Sequence, residues 1–254
     1  MLIAKFFELL MAGSASRGSN EMDEVQKQRN YYRRTAGQYD ALHADSPEHE
    51  FALTFMISMI GYLEIKSILD VGSGTGRALF AVKQACPNVR ILGIEPSAEL
   101  RDQGYIKGLK HDELICGDAM NLPFDVGQFD MVCEFGVLHH IKEHKKAVLE
   151  MLRVAKKAVF ISDNNTFGWG SRFSTSVKRG LKCVGLWKIA NLIATRGRGY
   201  MITDDDGISY RYSVFDDYPL ITRECHRVHL LNTMQTALNF YRSASHVAIL
   251  GLKG

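Results

Sequence analysis

The chain has 254 residues, 46% hydrophobic and 23% charged, which is enough apolar mass for one good core with a small appendage and excludes a disordered chain. A net charge of +3 argues against a dedicated nucleic-acid binder. The five cysteines (Cys86, Cys116, Cys133, Cys183, Cys225) form no CxxC pair, and two fall inside predicted strands as small buried hydrophobes, which fits a reducing compartment. Met1 to Met11 is apolar but carries Lys5 and Glu8, against a secretory core, and no apolar run approaches the ~20 residues that span a bilayer. The expected location is cytoplasmic. Residues 1–20 are read as an apolar helix and a small polar joint (13–20), ahead of a domain at 21–254. Glu21 to Tyr39 reads as helical, with Tyr31, Tyr32 and Tyr39 serving either amphipathic packing or a ligand.

Ile68-Leu69-Asp70-Val71-Gly72-Ser73-Gly74-Thr75-Gly76-Arg77 predicts a strand, a tight glycine turn and a helix start, with the helix running from Ala78 to Gln84. Glycines let the backbone reach positive φ and let a ligand lie on the main chain, while free N–H groups opening the helix favour an anionic group. A dinucleotide fingerprint wants a third glycine at position 77, where Arg77 stands. Arg90–Glu95 reads as a second buried strand ending in an acid, at the spacing where a carboxylate accepts from both ribose hydroxyls of a nucleoside. Glu113–Ala119, containing Asp118, predicts a third strand, followed by Leu122-Pro123-Phe124. Phe129–Phe135 predicts a fourth, leading into Gly136-Val137-Leu138-His139-His140-Ile141.

Lys145–Val154 has helical character, and Ala158–Asp163 reads as a fifth strand. Strands alternating with helices imply a mostly parallel sheet with ligands at its carboxyl edge. Thr166–Tyr200 holds Arg172, Lys178, Arg179, Lys182, Lys188, Arg196 and Arg198, both tryptophans (Trp169, Trp187) and no acid. Phe173, Val177, Leu181 and Val184 recur at helical spacing. Two readings stand: a basic amphipathic helix on an anionic membrane or anionic substrate, or a lid whose apolar face packs on the sheet. Tyr200–Thr203 and Ile208–Tyr212 flank Asp204-Asp205-Asp206-Gly207 and predict a hairpin over the pocket, its acids a solvated turn in preference to a metal site. His226–Leu231 and His246–Gly251 read as final strands.

This order of elements resembles the class I S-adenosylmethionine-dependent methyltransferases, in the subgroup whose fourth strand ends in a leucine-histidine-histidine turn. The resemblance covers roughly residues 31 to 165. It implies a Rossmann-like α/β fold: a seven-stranded, mostly parallel sheet with an antiparallel last strand, helices on both faces, and an inserted cap at 166–223 that contacts substrate. It implies that Gly72, Gly74 and Gly76, helped by Asp70, take the amino-acid end of S-adenosylmethionine. Glu95, followed by Pro96, would hold the ribose, Asp118 with Ala119 the adenine edge, and Glu134 and Phe135 would close the cofactor site. A leading helix bearing a Tyr-Asp pair such as Tyr39-Asp40 would fold over the ligand. Tyr39, Asp163, Asn164, Trp169 and Arg172 are the candidate substrate contacts.

The implied chemistry is displacement at a sulfonium methyl carbon, where the protein chiefly aligns a nucleophile and excludes water. A hydroxyl acceptor gains from a base, typically ~10²- to 10⁴-fold. His140, or else His139, is the candidate, only one of two adjacent side chains being expected to face the site. Asp163-Asn164-Asn165 would orient a polar substrate or cap a turn. An acid-Asn pair there resembles metal-dependent catechol-type enzymes, but their second acid would fall near Phe135, so no metal is expected. The leading functional reading is transfer to oxygen of a small-molecule or glycan acceptor, lipid-linked or phosphorylated, in polysaccharide or natural-product biosynthesis, with peripheral contact to an anionic inner membrane face through 166–200. The alternatives are an RNA methyltransferase and a non-catalytic S-adenosylmethionine-binding protein.

Overall fold

A computed structural model describes residues 24–42, 46–203, 206–234 and 239–254. The expected apolar helix at Met1–Met11 and the joint at 13–20 lie outside them. The leading segment forms helix α1 (Glu24–Thr35), a 3₁₀ turn (Ala36–Gln38) and a short helix α2 (Tyr39–Leu42). Helix α3 (Pro47–Tyr62) follows, with proline in its first turn beside Glu48 and Glu50, an arrangement that suits the positive end of a helix.

Strand β1 (Ser67–Val71) leads into helix α4 (Arg77–Ala85), β2 (Arg90–Ile94) into α5 (Ala98–Ile106), and β3 (Leu114–Ile115) into a loop before β4 (Phe129–Phe135). Helix α6 (His144–Val154) and strand β5 (Ala155–Asn164) follow, and the chain ends in β8 (Arg227–Asn232) and β9 (His246–Leu252). These form one seven-stranded sheet in the order β3-β2-β1-β4-β5-β9-β8, with β9 antiparallel to both neighbours. The fold is therefore the Rossmann-like sheet expected from the strand pattern.

Alternate residues explain the two layers. Ile68, Met131, Cys133 and Phe160 face α3 and α4 through Leu53, Met56, Ile60, Leu79 and Val82. Leu69, Val132, Val159 and Ile161 face α6 through Ala147, Val148, Met151 and Leu152. A strand covered on both faces reads as a continuous apolar run because successive side chains point to opposite sides. The third strand is shorter than the expected Glu113–Ala119. It is an edge strand paired only with β2, and its entrance is bent into a turn by Glu113, whose carboxylate accepts from Lys110 N–H (2.9 Å) and pairs with Lys83 (2.7 Å).

Between β5 and β8 lie helices α7 (Arg172–Cys183) and α8 (Trp187–Ala194), the ribbon β6 (Tyr200–Thr203) and β7 (Gly207–Tyr210), and helix α9 (Tyr218–Glu224). The ribbon is antiparallel, as expected. The reading in which the apolar stripe packs on the sheet is corrected: Phe173 is 80% exposed, Val184 68% and Ile193 57%, with Val177, Leu186, Ile189 and Leu192 also exposed. Two of the basic side chains instead turn inward. Lys178 donates to the carbonyls of Thr166 (2.9 Å) and Trp169 (2.8 Å), and Lys182 pairs with Asp216 above the Phe167 ring. Asn165, fully buried, ties this cap to the chain end through donation to the carbonyls of Phe240, Tyr241 and Ala244 and acceptance from Phe167 N–H and Ser213 hydroxyl. It is a staple, not a substrate contact.

Candidate active site

A cavity of about 870 Å³ opens at the carboxyl ends of β1, β4 and β5, beneath the ribbon. One half is floored by Asp70 and the turn Gly72-Ser73-Gly74-Thr75. Gly72 has φ +72°, and a Cβ there would sit 2.5 Å from a Val137 methyl, so only glycine fits. Gly76 (φ +87°) starts α4, where a Cβ would meet Leu109 at 2.3 Å; it serves helix packing and lies off the lining. Tyr39 covers Gly74, its ring edge 3.6 Å from where a Cβ would be, so this tyrosine stands at the glycine turn. Asp40 accepts from the Thr75 hydroxyl and pairs with Lys107 (2.7 Å), fastening the leading segment to the loop.

Two carboxyls in this half are buried against their charge. Burial pushes Asp70 up to about 6 and Glu95 up to about 7, the second despite acceptance from Gly74 N–H (3.0 Å) and Ser97 N–H (2.8 Å). Glu95 touches the glycine loop from outside the lining. Pro96 and the pair Asp118-Ala119 are also off it, Asp118 accepting from Met120 N–H (2.9 Å) and Ala119 packing in the core. Phe135 lines the cavity, whereas Glu134 is wholly buried and accepts from Val137 N–H (2.9 Å).

The other half brings together His139, His140, Asn164, Trp169 and Asp206. The 3₁₀ turn Leu138–His140 places both histidines on the lining, correcting the expectation that one would face away. Asp163, fully buried at the end of β5, accepts from His139 Nδ1 (2.7 Å) and from its backbone N–H (3.2 Å). It therefore orients the ring from behind and does not meet the cavity. His139 Nε2 lies 3.1 Å from one Asp206 oxygen and His140 Nε2 3.2 Å from the other, while His140 Nδ1 contacts the Ile208 carbonyl at 2.6 Å. Burial opposes charge on His139, but Asp163 and Asp206 outweigh it and hold its pKa well above the ordinary value. Asp206 is thus half-buried against two imidazoles, correcting its reading as a solvated turn. Arg172 is exposed at the start of α7 and off the lining.

Sequence reading missed Arg77, Lys107, His49 and His246, all on the lining. Arg77 carried a signal, as a cation directly after the glycine turn. The histidines carried none, since α3 brings His49 and the last strand His246 from opposite ends of the chain. Burial pushes His49 down to about 3, so it is neutral there.

Residues 69–161 match the family described as a methyltransferase domain. The demethylmenaquinone methyltransferase of Thermotoga maritima is 28% identical over 102 residues, 40% of this chain and 44% of that protein. Norajmaline N-methyltransferase of Rauvolfia serpentina is 32% identical over 94 residues, 35% and 32% of the two chains. The chain thus spans under half the length of these curated relatives. Magnesium protoporphyrin IX methyltransferase from Synechocystis, with bound S-adenosylhomocysteine, superposes with a TM-score of 0.57 at 16% identity over 91% of this chain and 100% of that one. A possible histamine N-methyltransferase from Thermotoga maritima gives 0.54 at 17% over 89% and 99%. Both share the fold. A methyltransferase domain model thus lies over the glycine turn and four strand ends of this sheet, and the chain shares the fold of solved S-adenosylmethionine-dependent methyltransferases.

Proposed function

We propose that the chain transfers the methyl group of S-adenosylmethionine to an oxygen of a lipid-linked or phosphorylated glycan, or a related small acceptor, presented at an anionic membrane surface. On this reading the cofactor's amino-acid end lies on Gly72 and Gly74 with Asp70 beneath and Arg77 nearby. Glu95 takes the ribose hydroxyls. The acceptor hydroxyl enters beside Asn164 and Trp169 and meets His139, His140 and Asp206. Transfer needs the acceptor oxygen in line with the methyl carbon, and a hydroxyl needs its proton drawn off as the carbon–oxygen bond forms and the carbon–sulfur bond breaks. An amine that is already neutral, the acceptor type that the name norajmaline N-methyltransferase implies for that relative, has less use for that group of side chains.

The observation that carries the membrane part is the outward apolar face of α7 and α8. It spans Phe173 to Ile193 and is rimmed by the exposed Arg172, Lys188, Arg196 and Arg198, and Thr166–Thr203 contains no acid. An apolar face with a cationic rim suits an anionic bilayer. Trp169 joins that face to the cavity. Among the described residues no helix is long and apolar enough to cross a membrane, so the contact is interfacial.

The purified chain is expected to co-sediment with vesicles of phosphatidylglycerol and less with phosphatidylcholine alone. Each of Phe173 and Ile193 returns about 1.5–3 kcal/mol on burial. The double variant Phe173→Asp, Ile193→Asp should therefore lose at least about tenfold in vesicle binding with unchanged melting, both side chains being exposed. Failure to sediment with anionic vesicles, or undiminished binding of the double variant, sinks the membrane reading.

A further inference from the structure

Three groups from two distant segments, His139, His140 and Asp206, bring one donor atom each to within 4.8 Å of one another. His139 Nδ1 faces a carboxylate oxygen of Asp163 at 2.7 Å, and His140 Nδ1 faces the Ile208 carbonyl at 2.6 Å. Those oxygens only accept, so both Nδ1 atoms carry hydrogen, which leaves Nε2 of each ring turned toward the cavity. Both Nε2 atoms then face Asp206, at 3.1 and 3.2 Å. A ring nitrogen this close to a carboxylate oxygen needs a proton or a metal cation between the two.

Protons could fill that role, one on each ring, but this would place two imidazolium rings with centroids 4.0 Å apart. A single dication needs no such stacking of charge, because both rings stay neutral. We propose that His139 Nε2, His140 Nε2 and a carboxylate oxygen of Asp206 bind one divalent transition-metal ion of the zinc type. The two nitrogens lie 3.1 and 3.2 Å from the two separate oxygens of Asp206, and one donor atom from each of the three residues lies within 4.8 Å of the other two. A small closure brings them to the ~3.0–3.5 Å spacing of donors about 2.0–2.2 Å from zinc. Two imidazoles and one carboxylate suit that ion class and leave coordination positions open.

The supporting contacts also fit. Asp163 behind His139 makes a carboxylate–histidine pair of the kind that fixes tautomer and raises ligand basicity. The Ile208 carbonyl does the same for His140 from the ribbon that supplies Asp206. The open side is the cavity, where Asn164 and Trp169 stand. The consequence for catalysis rests on the methyl-transfer reading. An acceptor hydroxyl bound to the ion would release its proton to water, attack the methyl carbon and leave the carbon–sulfur electron pair on sulfur, giving S-adenosylhomocysteine.

The test is calorimetry of Zn²⁺ binding to the chelator-treated full chain, with the visible spectrum of the Co²⁺ form as a second readout. One equivalent of Zn²⁺ is expected, with a tetrahedral Co²⁺ absorption. Asp206→Asn and His140→Ala should each weaken binding at least about tenfold, and Asp163→Asn, which touches no metal, by about 10- to 100-fold. S-adenosylhomocysteine affinity of Asp206→Asn should stay at the wild-type value, showing that the chain is folded. Absence of stoichiometric Zn²⁺ binding overturns the proposal, as does binding that survives Asp206→Asn. No acceptor enters this measurement, so its failure is separate from failure of methyl transfer.

Discussion

Glu95→Ala is expected to weaken S-adenosylhomocysteine binding by about 10- to 100-fold, the loss of hydrogen bonds from ribose hydroxyls to a buried charged acceptor at about 1.5–3 kcal/mol. The same carboxyl sets a pH dependence. It sits between two backbone N–H donors, yet burial pushes it up to about 7. Hydroxyl donors favour its ionised form, so affinity should rise from pH 6 to pH 8 and level off above. Near pH 6.5, binding should release part of a proton, visible as a buffer-dependent calorimetric enthalpy.

Stability of the ligand-free chain should move the other way. The folded carboxyl binds a proton that the unfolded one, near 4.5, has lost, so its contribution falls as pH rises from about 4.5 through 7. Glu95→Gln should remove the part of both dependences centred near 7, leaving the part set by Asp70, which burial pushes up to about 6. Wild-type affinity in Glu95→Ala, or a flat pH profile for the native chain, would show that Glu95 does not hold the cofactor.

His139→Ala is expected to lower methyl transfer at saturating S-adenosylmethionine by about 10²- to 10⁴-fold, while S-adenosylhomocysteine affinity changes by less than about threefold. The split follows from the proposed placement: His139 lines the cavity with Asp163 behind it, in the part assigned to the acceptor under the proposal. Asp163→Asn should follow in the same direction. Asparagine can donate from its amide to His139 Nδ1 and so favours the wrong tautomer, as well as removing the negative charge. Equal losses of rate and cofactor affinity in His139→Ala would mean that the turn only shapes the cofactor pocket.

The sheet was legible because its signals are local. An apolar run ending in an acid, repeated at Asp70, Glu95 and Asp118, and glycines at 72 and 74 mark strand ends without knowledge of their neighbours. The edge strand was overestimated because pairing on one side only cannot be seen along the chain. The paired carboxylate behind His139 was legible as a strand end but not as a partner, since Asp163 reaches it across 24 positions. Asp206 was missed for the same reason at greater separation. In Asp204-Asp205-Asp206-Gly207 the composition of a solvated turn hides a residue that the ribbon lays on two histidines 66 and 67 positions earlier. The outward face of α7 was ambiguous because spacing gives a stripe but not what lies against it.

The most direct test of methyl transfer to a membrane-presented acceptor is incubation of the chain with methyl-tritiated S-adenosylmethionine and a cell extract, followed by separation into lipid-glycan, aqueous, nucleic-acid and protein fractions. Label is predicted in the lipid-glycan fraction, and it should be absent with His139→Ala. Label confined to nucleic acid, or none in any fraction although S-adenosylhomocysteine binds, would contradict the account and point to an RNA methyltransferase or a non-catalytic binder.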